Sequence, residues 1–452
     1  MKLERLDELL RARPSDERTY DRQLPDLALR SAPVREPVRA GGSRSLGFAA
    51  AVMGIGLVIV VGAATLGPWR QGQTSSGPSG SAPAPSAGTT RAYFTGSMKE
   101  ARVDASATLL KDGRVLIVGG LHSGDPGEGG GGVLMKSAEL YDPSTGTFTL
   151  TGAMNVARYS ASLTTLADGR VLVVGGNDVV TDDVPSAELY DPATGQFTPT
   201  TSPQESGTEI SSTLLRDGRV LILGCGSSSD CSGAQWSADL YDPSTGQFTA
   251  VGPLPEMFLF GTATLLNDGR VLIAGGNDPL VPAPSLIFDP ATDTFAATGS
   301  MAGQFSLHTA TLLPNGRVLL IEGYATGDVA LSGELYDPAT GKFTATADVG
   351  ITRMNPTATL LANGTVFIAG GAAIGTSSLD ARMVLLYDPS TGEFNPGGST
   401  LVPRRDHTAT LLSDGRVLLA GGIDGGVSRG TDGVTTGDWP TNSAEIYDPT
   451  AP

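Results

Sequence analysis

The sequence has 452 residues and a net charge of −17, and it is 40% hydrophobic and 17% charged, with 61 Gly and 30 Pro. This length exceeds an ordinary domain of ~100–200 residues, which leaves a multidomain chain or one large all-β or repeat architecture. The hydrophobic content excludes global disorder, and glycines without a three-residue period exclude collagen.

Charge is divided unevenly along the chain. Residues 1–45 contain ten Lys or Arg and eight Asp or Glu, whereas residues 71–452 contain 19 basic and 39 acidic residues. Such an acidic excess repels a phosphate backbone, so we expect no nucleic-acid partner.

An apolar run near the start predicts a membrane anchor. Residues 1–45 form a tail too short and too rich in proline to bury a core. Residues 46–66 contain no charge and are bounded by Arg44 and Arg70. A helix of this length spans roughly 31 Å, the thickness of the apolar part of a bilayer. The run is longer than that of a cleavable signal peptide, although cleavage stays an alternative. We therefore predict one transmembrane helix that contacts the lipid bilayer through residues 46–66.

Basic residues before this run predict its orientation. Arg35, Arg39 and Arg44 precede the span, and the first cation after Arg70 is Arg91. The positive-inside rule places the N-terminal tail in the cytoplasm and the rest of the chain outside. We expect a single-pass protein of the cell membrane. Gly, Ser and Pro dominate residues 67–90, which predicts a flexible linker before an extracytoplasmic domain at 91–452.

A repeated unit fills that domain. The pattern Asp/Asn-Gly-x-Val occurs seven times, 47 to 56 residues apart, and an aromatic-Asp-Pro triplet follows each copy. The seven copies begin at Asp112, Asp168, Asp217, Asp268, Asn315, Asn363 and Asp414. The triplets begin at Tyr141, Tyr190, Tyr241, Phe288, Tyr336, Tyr387 and Tyr447. Two motifs in a constant order indicate a repeat architecture.

Each unit predicts four strands. In the second unit, Asp168-Gly169 is a tight hairpin signal, and Asp191-Pro192 opens a turn that ends at Gly195. The strand between them, residues 171–174, is VLVV and has no polar alternation, so both its faces must be covered. Four-stranded sheets that stack face to face around an axis meet this requirement, and they form a β-propeller.

The units resemble the kelch repeat family, in which a Gly pair ends the second strand and an aromatic residue begins the fourth. The matching Gly pairs are Gly119-Gly120, Gly175-Gly176, Gly275-Gly276, Gly370-Gly371 and Gly421-Gly422. The resemblance covers about residues 92–452. It implies an all-β, seven-bladed kelch-type β-propeller with four-stranded blades. The transmembrane α-helix predicted from the apolar run precedes this propeller. Because the seventh unit ends after its third strand, the segment around Tyr93 is predicted to complete the last blade and close the ring.

Long loops on one face of the propeller are the predicted ligand site. The loops at about 121–136 and 423–442 are long, and the second contains Arg429 and Trp439. Further candidates precede the first strands of their units, and they are Arg102, Arg158, Arg353, Arg404, Arg405, His308 and His407. We interpret the arginines as anion or carboxylate contacts, with hydrogen bonds to neighbouring backbone carbonyls as the alternative. For the histidines the alternative is a structural role.

The sequence contains no catalytic constellation. Kelch-type copper oxidases that resemble galactose oxidase need a Cys cross-linked to a Tyr, a second Tyr and two His. Here the only cysteines, Cys225 and Cys231, lie in one loop and are predicted to form a disulfide. We expect no catalytic residue, metal or cofactor. The predicted function is a binding module for a protein or carbohydrate ligand on the loop face. A propeller enzyme of the oxidase or lyase type and a transmembrane sensor with a signalling tail stay open as alternatives.

Overall fold

Seven antiparallel sheets of four strands surround a central axis in the computed structural model. The structure describes residues 91–451 except for 123–132, 178–185, 204–207, 226–235, 255–257, 259–260, 276–284, 303–307, 322–332, 348, 350–352, 374–381, 425–426, 431–432 and 437–438. The predicted tail, transmembrane helix and linker lie outside these residues. In the part of the chain that is described, no helix is long and apolar enough to cross a membrane.

Each sheet is one blade, numbered one to seven by its repeat, and its first strand lies at the axis. First strands of neighbouring blades contact one another around the whole ring, and the first blade also contacts the seventh. These axial strands are Ser106–Leu109, Ser162–Thr165, Thr208–Leu214, Thr262–Leu265, Thr309–Leu312, Thr357–Leu360 and Thr408–Leu411. The second strands are Val115–Val118, Val171–Val174, Val220–Cys225, Val271–Ala274, Val318–Ile321, Val366–Ala369 and Val417–Ala420.

The third and fourth strands continue each sheet toward the periphery. The third strands are Ala138–Asp142, Ala187–Asp191, Trp236–Asp242, Leu286–Asp289, Gly333–Asp337, Met383–Asp388 and Ala444–Tyr447. The outer strands of blades one to six are Thr147–Leu150, Gln196–Pro199, Gln247–Pro253, Thr294–Ala297, Lys342–Ala345 and Glu393–Ser399. Four strands per blade and seven blades agree with the sequence prediction.

An N-terminal strand completes the seventh blade, as the truncated last repeat predicts. Ala92–Phe94 pairs antiparallel with Ala444–Tyr447, and Ala92 lies opposite Tyr447. Both ends of the propeller chain therefore meet in one sheet, which closes the ring without a covalent join.

The second strands are buried along their whole length. Val171–Val174 shows burial at all four positions, as do its counterparts in the other blades. Its side chains alternate between two packing clusters. Val171 and Val173 pack toward blade one, and Leu172 and Val174 toward blade three. This explains why the strand sequence lacks polar alternation.

The tight turns lie together on one face, which we call the hairpin face. Gly169 adopts φ +94° and Gly195 adopts φ +70°, the left-handed region that favours glycine. The Asp168 carboxylate accepts a hydrogen bond of 2.9 Å from the backbone N–H of Arg170. The connections between second and third strands and between successive blades lie on the opposite face, the loop face.

Neighbouring blades are joined at their outer edges by a repeated pair of hydrogen bonds. After the outer strand of blade one, the Gly152 N–H donates to the Gly195 carbonyl of blade two at 2.9 Å. The Thr151 hydroxyl shares a hydrogen bond of 2.9 Å with the Tyr190 hydroxyl. Equivalent backbone bonds join Gly96 to Gly146 and Gly299 to Gly341.

Short additional strands lie on the loop face, including parts of the two long loops. The pairs and triples are Leu121–His122 with Val133–Leu134, Arg353–Met354 with Ala372–Ala373, Arg404–Arg405 with Ile423–Asp424 and Trp439–Pro440, and Val427–Gly430 with Gly433–Thr436.

The close approach at Gly152 predicts a specific sensitivity. A Cβ on this residue would overlap the carbonyl oxygen of Gly195, a backbone atom that cannot rotate away. We expect Gly152→Ala to lower the free energy of unfolding by about 1–3 kcal/mol, the range for overpacking, in chemical denaturation. Ala153→Ser, at the exposed neighbouring position, is the control and should change stability by less than about 0.5 kcal/mol. Equal effects of the two substitutions would contradict the proposed steric cause.

Candidate functional site

Three of the six candidate arginines lie inside their blades. Arg102 and Arg158 have no exposed surface, and Arg404 has almost none. In blade two, Arg158 Nη1 donates to the carbonyls of Gly175 at 2.7 Å and Ser186 at 3.0 Å. These carbonyls belong to the Gly pair and to the residue that precedes the third strand. The guanidinium therefore ties the loop-face ends of two strands together.

Each buried guanidinium also meets a buried carboxylate of its own blade. The distances are 3.0 Å for Arg102–Glu139, 3.1 Å for Arg158–Glu188 and 2.7 Å for Arg404–Glu445. Burial lowers the pKa of Arg158, and the Glu188 carboxylate opposes this shift.

This geometry matches the alternative interpretation, hydrogen bonding to neighbouring carbonyls, for these three arginines. None of the three presents its guanidinium to solvent, so their predicted contact with a ligand gains no support. The physical reason is the third-strand Glu, which supplies the counter-charge inside the blade. Arg404 satisfies its guanidinium with the Gly421 and Ser443 carbonyls, each at 3.0 Å, as well as with Glu445.

A signal for this arrangement was present in the repeats. Blades one, two and seven contain both the Arg and a Glu two residues before the third-strand Tyr. Blade four contains neither, and has Phe258 and Leu286 at the two positions. The correlation is incomplete, because blade five has Glu334 without the Arg and blade six has Arg353 without the Glu.

Four other candidates lie on the loop face. Arg405 is partly exposed, and its Nη1 donates to Asp406 Oδ2 at 3.1 Å. Arg353, Arg429 and Trp439 belong to short strands of which only the backbone is described. Their side chains lie outside the description, so their contact with a ligand stays a prediction.

Both candidate histidines are buried between blades. The Nε2 atom of His308 shares a hydrogen bond of 2.9 Å with Thr262 Oγ1, and that of His407 lies 3.2 Å from Thr357 Oγ1. A Cβ on Gly275 would overlap the His308 ring, and one on Gly370 would overlap the His407 ring. The imidazoles thus fill space that a glycine of the preceding blade leaves open. Burial lowers the pKa of His308 to about 4, so this ring is neutral at pH 7.

A ring of polar residues is found where the axial strands begin. Two residues before the axial strand, blades one, two, six and seven carry Asp104, Ser160, Asn355 and Asp406, with φ between +51° and +54°. Ser160 is exposed and the other three are partly exposed. We call these four residues the channel-mouth arc, because they flank the loop-face end of the axis on consecutive blades.

Hydrogen bonds connect the channel-mouth arc from blade to blade. The Ser160 N–H donates to the Asp104 carbonyl at 2.8 Å, and the Asp104 N–H donates to the Asp406 carbonyl at 3.2 Å. Asn355 Nδ2 donates to Asp406 Oδ1 at 3.0 Å. A left-handed backbone is uncommon for residues other than glycine, with Asn and Asp enriched there, and it persists only where the surroundings hold it. Sequence reasoning missed these residues, although a short polar residue recurs at this position.

The described residues do not assemble a metal centre. Among them, no three His, Cys, Asp or Glu side chains form a group able to hold a metal ion. Cys225 is disulfide-bonded. Cys231, its predicted partner, lies outside the described residues, so the pairing stays a prediction.

No known protein family and no curated protein matches the sequence. Among solved structures, the chain is similar to a fungal alcohol oxidase of the AA5 family, determined in complex with copper. The TM-score is 0.60 at 18% sequence identity, and the match covers 78% of this chain and 75% of that chain. At this identity the similarity shows the propeller fold alone.

The residues described here do not fit a copper radical centre. His308 and His407 lie in blades five and seven, which are not neighbours, and each directs Nε2 to a threonine hydroxyl. Cys225, engaged in a disulfide, is not available for a cross-link to a tyrosine.

Removal of one buried arginine tests the structural role of these ion pairs. Arg158→Ala leaves Glu188 buried without its cation, and we expect a loss of about 3–5 kcal/mol in the free energy of unfolding. Arg317→Ala is the control, because Arg317 is half-exposed and 3.6 Å from Asp337, and an exposed pair contributes at most about 1 kcal/mol. Chemical denaturation measures both, and an Arg158→Ala cost no larger than the control would refute the role.

His308 predicts a pH dependence of stability. Its pKa is about 4 in the folded protein and 6.5 in the unfolded chain, so the unfolded chain takes up the proton first. The stabilisation is complete above pH 6.5 and is lost as the pH falls toward 4, by up to about 3 kcal/mol. Between pH 7 and pH 4.5, chemical denaturation should show a smaller loss of unfolding free energy for His308→Ala than for the unchanged protein. Alanine is the chosen substitution because the first two blades carry Ala105 and Ala161 at this position. Parallel pH profiles would show that His308 does not titrate in this way.

Proposed function

We propose that the protein is a binding module of the kelch type, and that a protein or carbohydrate ligand contacts its loop face at the channel-mouth arc. The observation that carries this proposal is the run of polar residues at the end of the axis, whose backbones are held at positive φ and in which the Asn355 and Asp406 side chains are hydrogen-bonded to each other. Groups held in place before binding lose little conformational freedom when a ligand arrives, so more of their hydrogen-bond energy remains as affinity.

The chemistry of the arc favours a neutral, hydrogen-bonding ligand. Asp104 and Asp406 supply acceptors, Asn355 supplies both donors and acceptors, and Ser160 supplies a hydroxyl. Sugar hydroxyls and peptide main-chain groups match such a set. Anionic ligands are disfavoured by the acidic excess of residues 71–452, although Arg405 offsets the charge of Asp406 within the arc.

Substitution by glycine tests the arc without disturbing its backbone, because glycine adopts a positive φ freely. We expect Asp104→Gly with Ser160→Gly to weaken binding at least about tenfold, the loss of one to two hydrogen bonds. The measurement is titration of the full-length protein with neutral oligosaccharides and peptides that bind it in array screening. Arg317→Ala on the hairpin face is the control. Affinity that survives the glycine variant but falls with Arg317→Ala would place the site on the opposite face.

An alcohol oxidase is the second candidate, favoured by the similarity to the copper-containing fungal enzyme. Metal analysis of the purified full-length protein separates the two candidates. We expect copper well below one atom per chain and no oxidation of primary alcohols. Stoichiometric copper with alcohol oxidation would replace the binding module with the enzyme.

We also propose that residues 46–66 anchor the propeller in the cell membrane, with residues 1–45 in the cytoplasm. The uncharged run and the arginines that precede it support this orientation. In this arrangement the tail is placed to report ligand occupancy to a cytoplasmic partner, which is the sensor alternative.

Proteolysis of intact cells tests the orientation. The linker at 67–90 is rich in Gly, Ser and Pro, and such exposed segments are preferred sites of cleavage. External protease should release a soluble propeller fragment cut within residues 71–90, detected by mass spectrometry of the supernatant. A propeller that is protected until the membrane is permeabilised would reverse the proposed topology.

A further inference from the structure

The outer strand of the seventh blade lacks an aromatic stacking contact that the other six blades share. In blades one to six, a Phe of the outer strand stacks on the aromatic residue of the third strand, with ring centroids 4.7–5.0 Å apart. The pairs are Tyr141–Phe148, Tyr190–Phe197, Tyr241–Phe248, Phe288–Phe295, Tyr336–Phe343 and Tyr387–Phe394. In blade seven, Ala92 lies opposite Tyr447 at the corresponding register position.

A neighbouring blade supplies the missing ring. Phe367, in the second strand of blade six, stacks on Tyr447 with centroids 4.4 Å apart. The other six blades carry leucine at this second-strand position, namely Leu116, Leu172, Leu221, Leu272, Leu319 and Leu418. Tyr447 is fully buried although its own outer strand contributes only an alanine. The core of blade seven is therefore completed from blade six and not from the strand that closes the ring.

The closing strand consequently buries little. Ala92 is buried, but Tyr93 is 44% exposed and Phe94 is 59% exposed. By contrast, Phe148 in the outer strand of blade one is 2% exposed. Since the buried Phe provides most of the apolar area that each of the other outer strands removes from water, the closing strand lacks the largest apolar contribution of its counterparts.

Polar contacts at the edge hold the closing strand instead. The Arg91 carbonyl accepts a hydrogen bond of 2.8 Å from the Asp448 N–H, and the Tyr93 hydroxyl accepts one from Arg416. Water competes for bonds at an exposed edge, so each contributes modestly.

The chain is fixed again directly after this strand. The Gly96 N–H donates to the Gly146 carbonyl at 2.8 Å, and the Met98 N–H donates to the Asn442 carbonyl at 2.8 Å. The Met98 side chain is buried between blades seven and one. These contacts begin at Thr95, whose N–H donates to the Ala444 carbonyl at 3.1 Å and whose hydroxyl shares a hydrogen bond of 2.8 Å with the Tyr141 hydroxyl. Detachment of Ala92–Phe94 therefore does not require the ring to open.

We propose that Ala92–Phe94 is a releasable latch, which leaves and rejoins the edge of blade seven while the ring stays closed. Release uncovers Glu445–Tyr447, an edge that an extended peptide strand can pair with. The Gly-, Ser- and Pro-rich segment 67–90 precedes the latch, so any pull from the N-terminal side acts on this strand first. The inference is independent of the ligand and the location proposed above.

Hydrogen exchange of the full-length protein tests the latch. We expect the amides of residues 92–94 and of the edge 445–447 to exchange at least about tenfold faster than residues 148–150 and 139–141, the matched strands of blade one, because local opening precedes global unfolding. Ala92→Phe with Phe367→Leu restores the pattern of the other blades and should slow exchange at 92–94 at least about tenfold. Exchange at 92–94 equal to that at 148–150 in the unchanged protein would overturn the proposal, as would no slowing in a folded double variant.

A converse variant keeps the test decisive if the first does not fold. Phe148→Ala with Leu418→Phe transfers the arrangement of blade seven to blade one, where Leu418 packs beside Tyr141 and Phe148. Exchange at residues 149–150 should then rise toward that at 93–94, with the thermal midpoint changed far less than by Phe148→Ala alone. Unchanged exchange at 149–150 would show that the aromatic position does not control release.

Discussion

Burial of the second strand on both faces is the constraint on which this fold depends. A blade whose central strand is VLVV has two apolar faces and can cover neither alone, so each blade requires a neighbour on either side. Only a closed ring satisfies every blade, and the end blades of an open array would expose a whole face to water. The contacts of Gly96 and Met98 between blades one and seven and the edge bonds such as Gly152 to Gly195 serve this closure. They hold the blades in register at the periphery, while the buried valines and leucines define the interior.

Polar residues of types that often form binding sites have structural roles inside the ring. The guanidinium of Arg158 and the imidazole of His308 are groups that bind ligands in many proteins, yet Arg158 is buried within its own blade and His308 is buried between blades four and five. Their partners are close at hand, since Glu188 and Thr262 lie within hydrogen-bond distance. What reaches solvent at the loop-face end of the axis is a different set, centred on Asp104 and its neighbours, whose backbone is held in an uncommon conformation by contacts between blades.

The architecture was predictable from the repeats, whereas the depth of individual side chains was not. Turn residues such as Gly169 and Pro192 recur in every repeat, so the number and order of the strands follow from the sequence. The enclosure of Arg158 depends on Glu188, which precedes the repeated triplet and belongs to neither repeated motif. Tyr447 stacks on Phe367 of blade six, whereas its own outer strand offers only Ala92. This contact depends on how two blades face each other, and no local sequence pattern contains that information.

Both ends of the propeller chain lie in blade seven, so the order of the repeats along the chain can be changed without changing the ring. The N–H of Asp448 donates to the carbonyl of Arg91, so the two ends of the propeller are neighbours in space. A short peptide joining them would make the backbone circular, and a cut at any Asp/Asn-Gly turn between the first and second strands of a blade would create new ends without removing a strand. Each blade contains one such turn, so seven circularly permuted chains can share one ring. In each of them, every outer strand would be covalently continuous with the third strand of its own sheet.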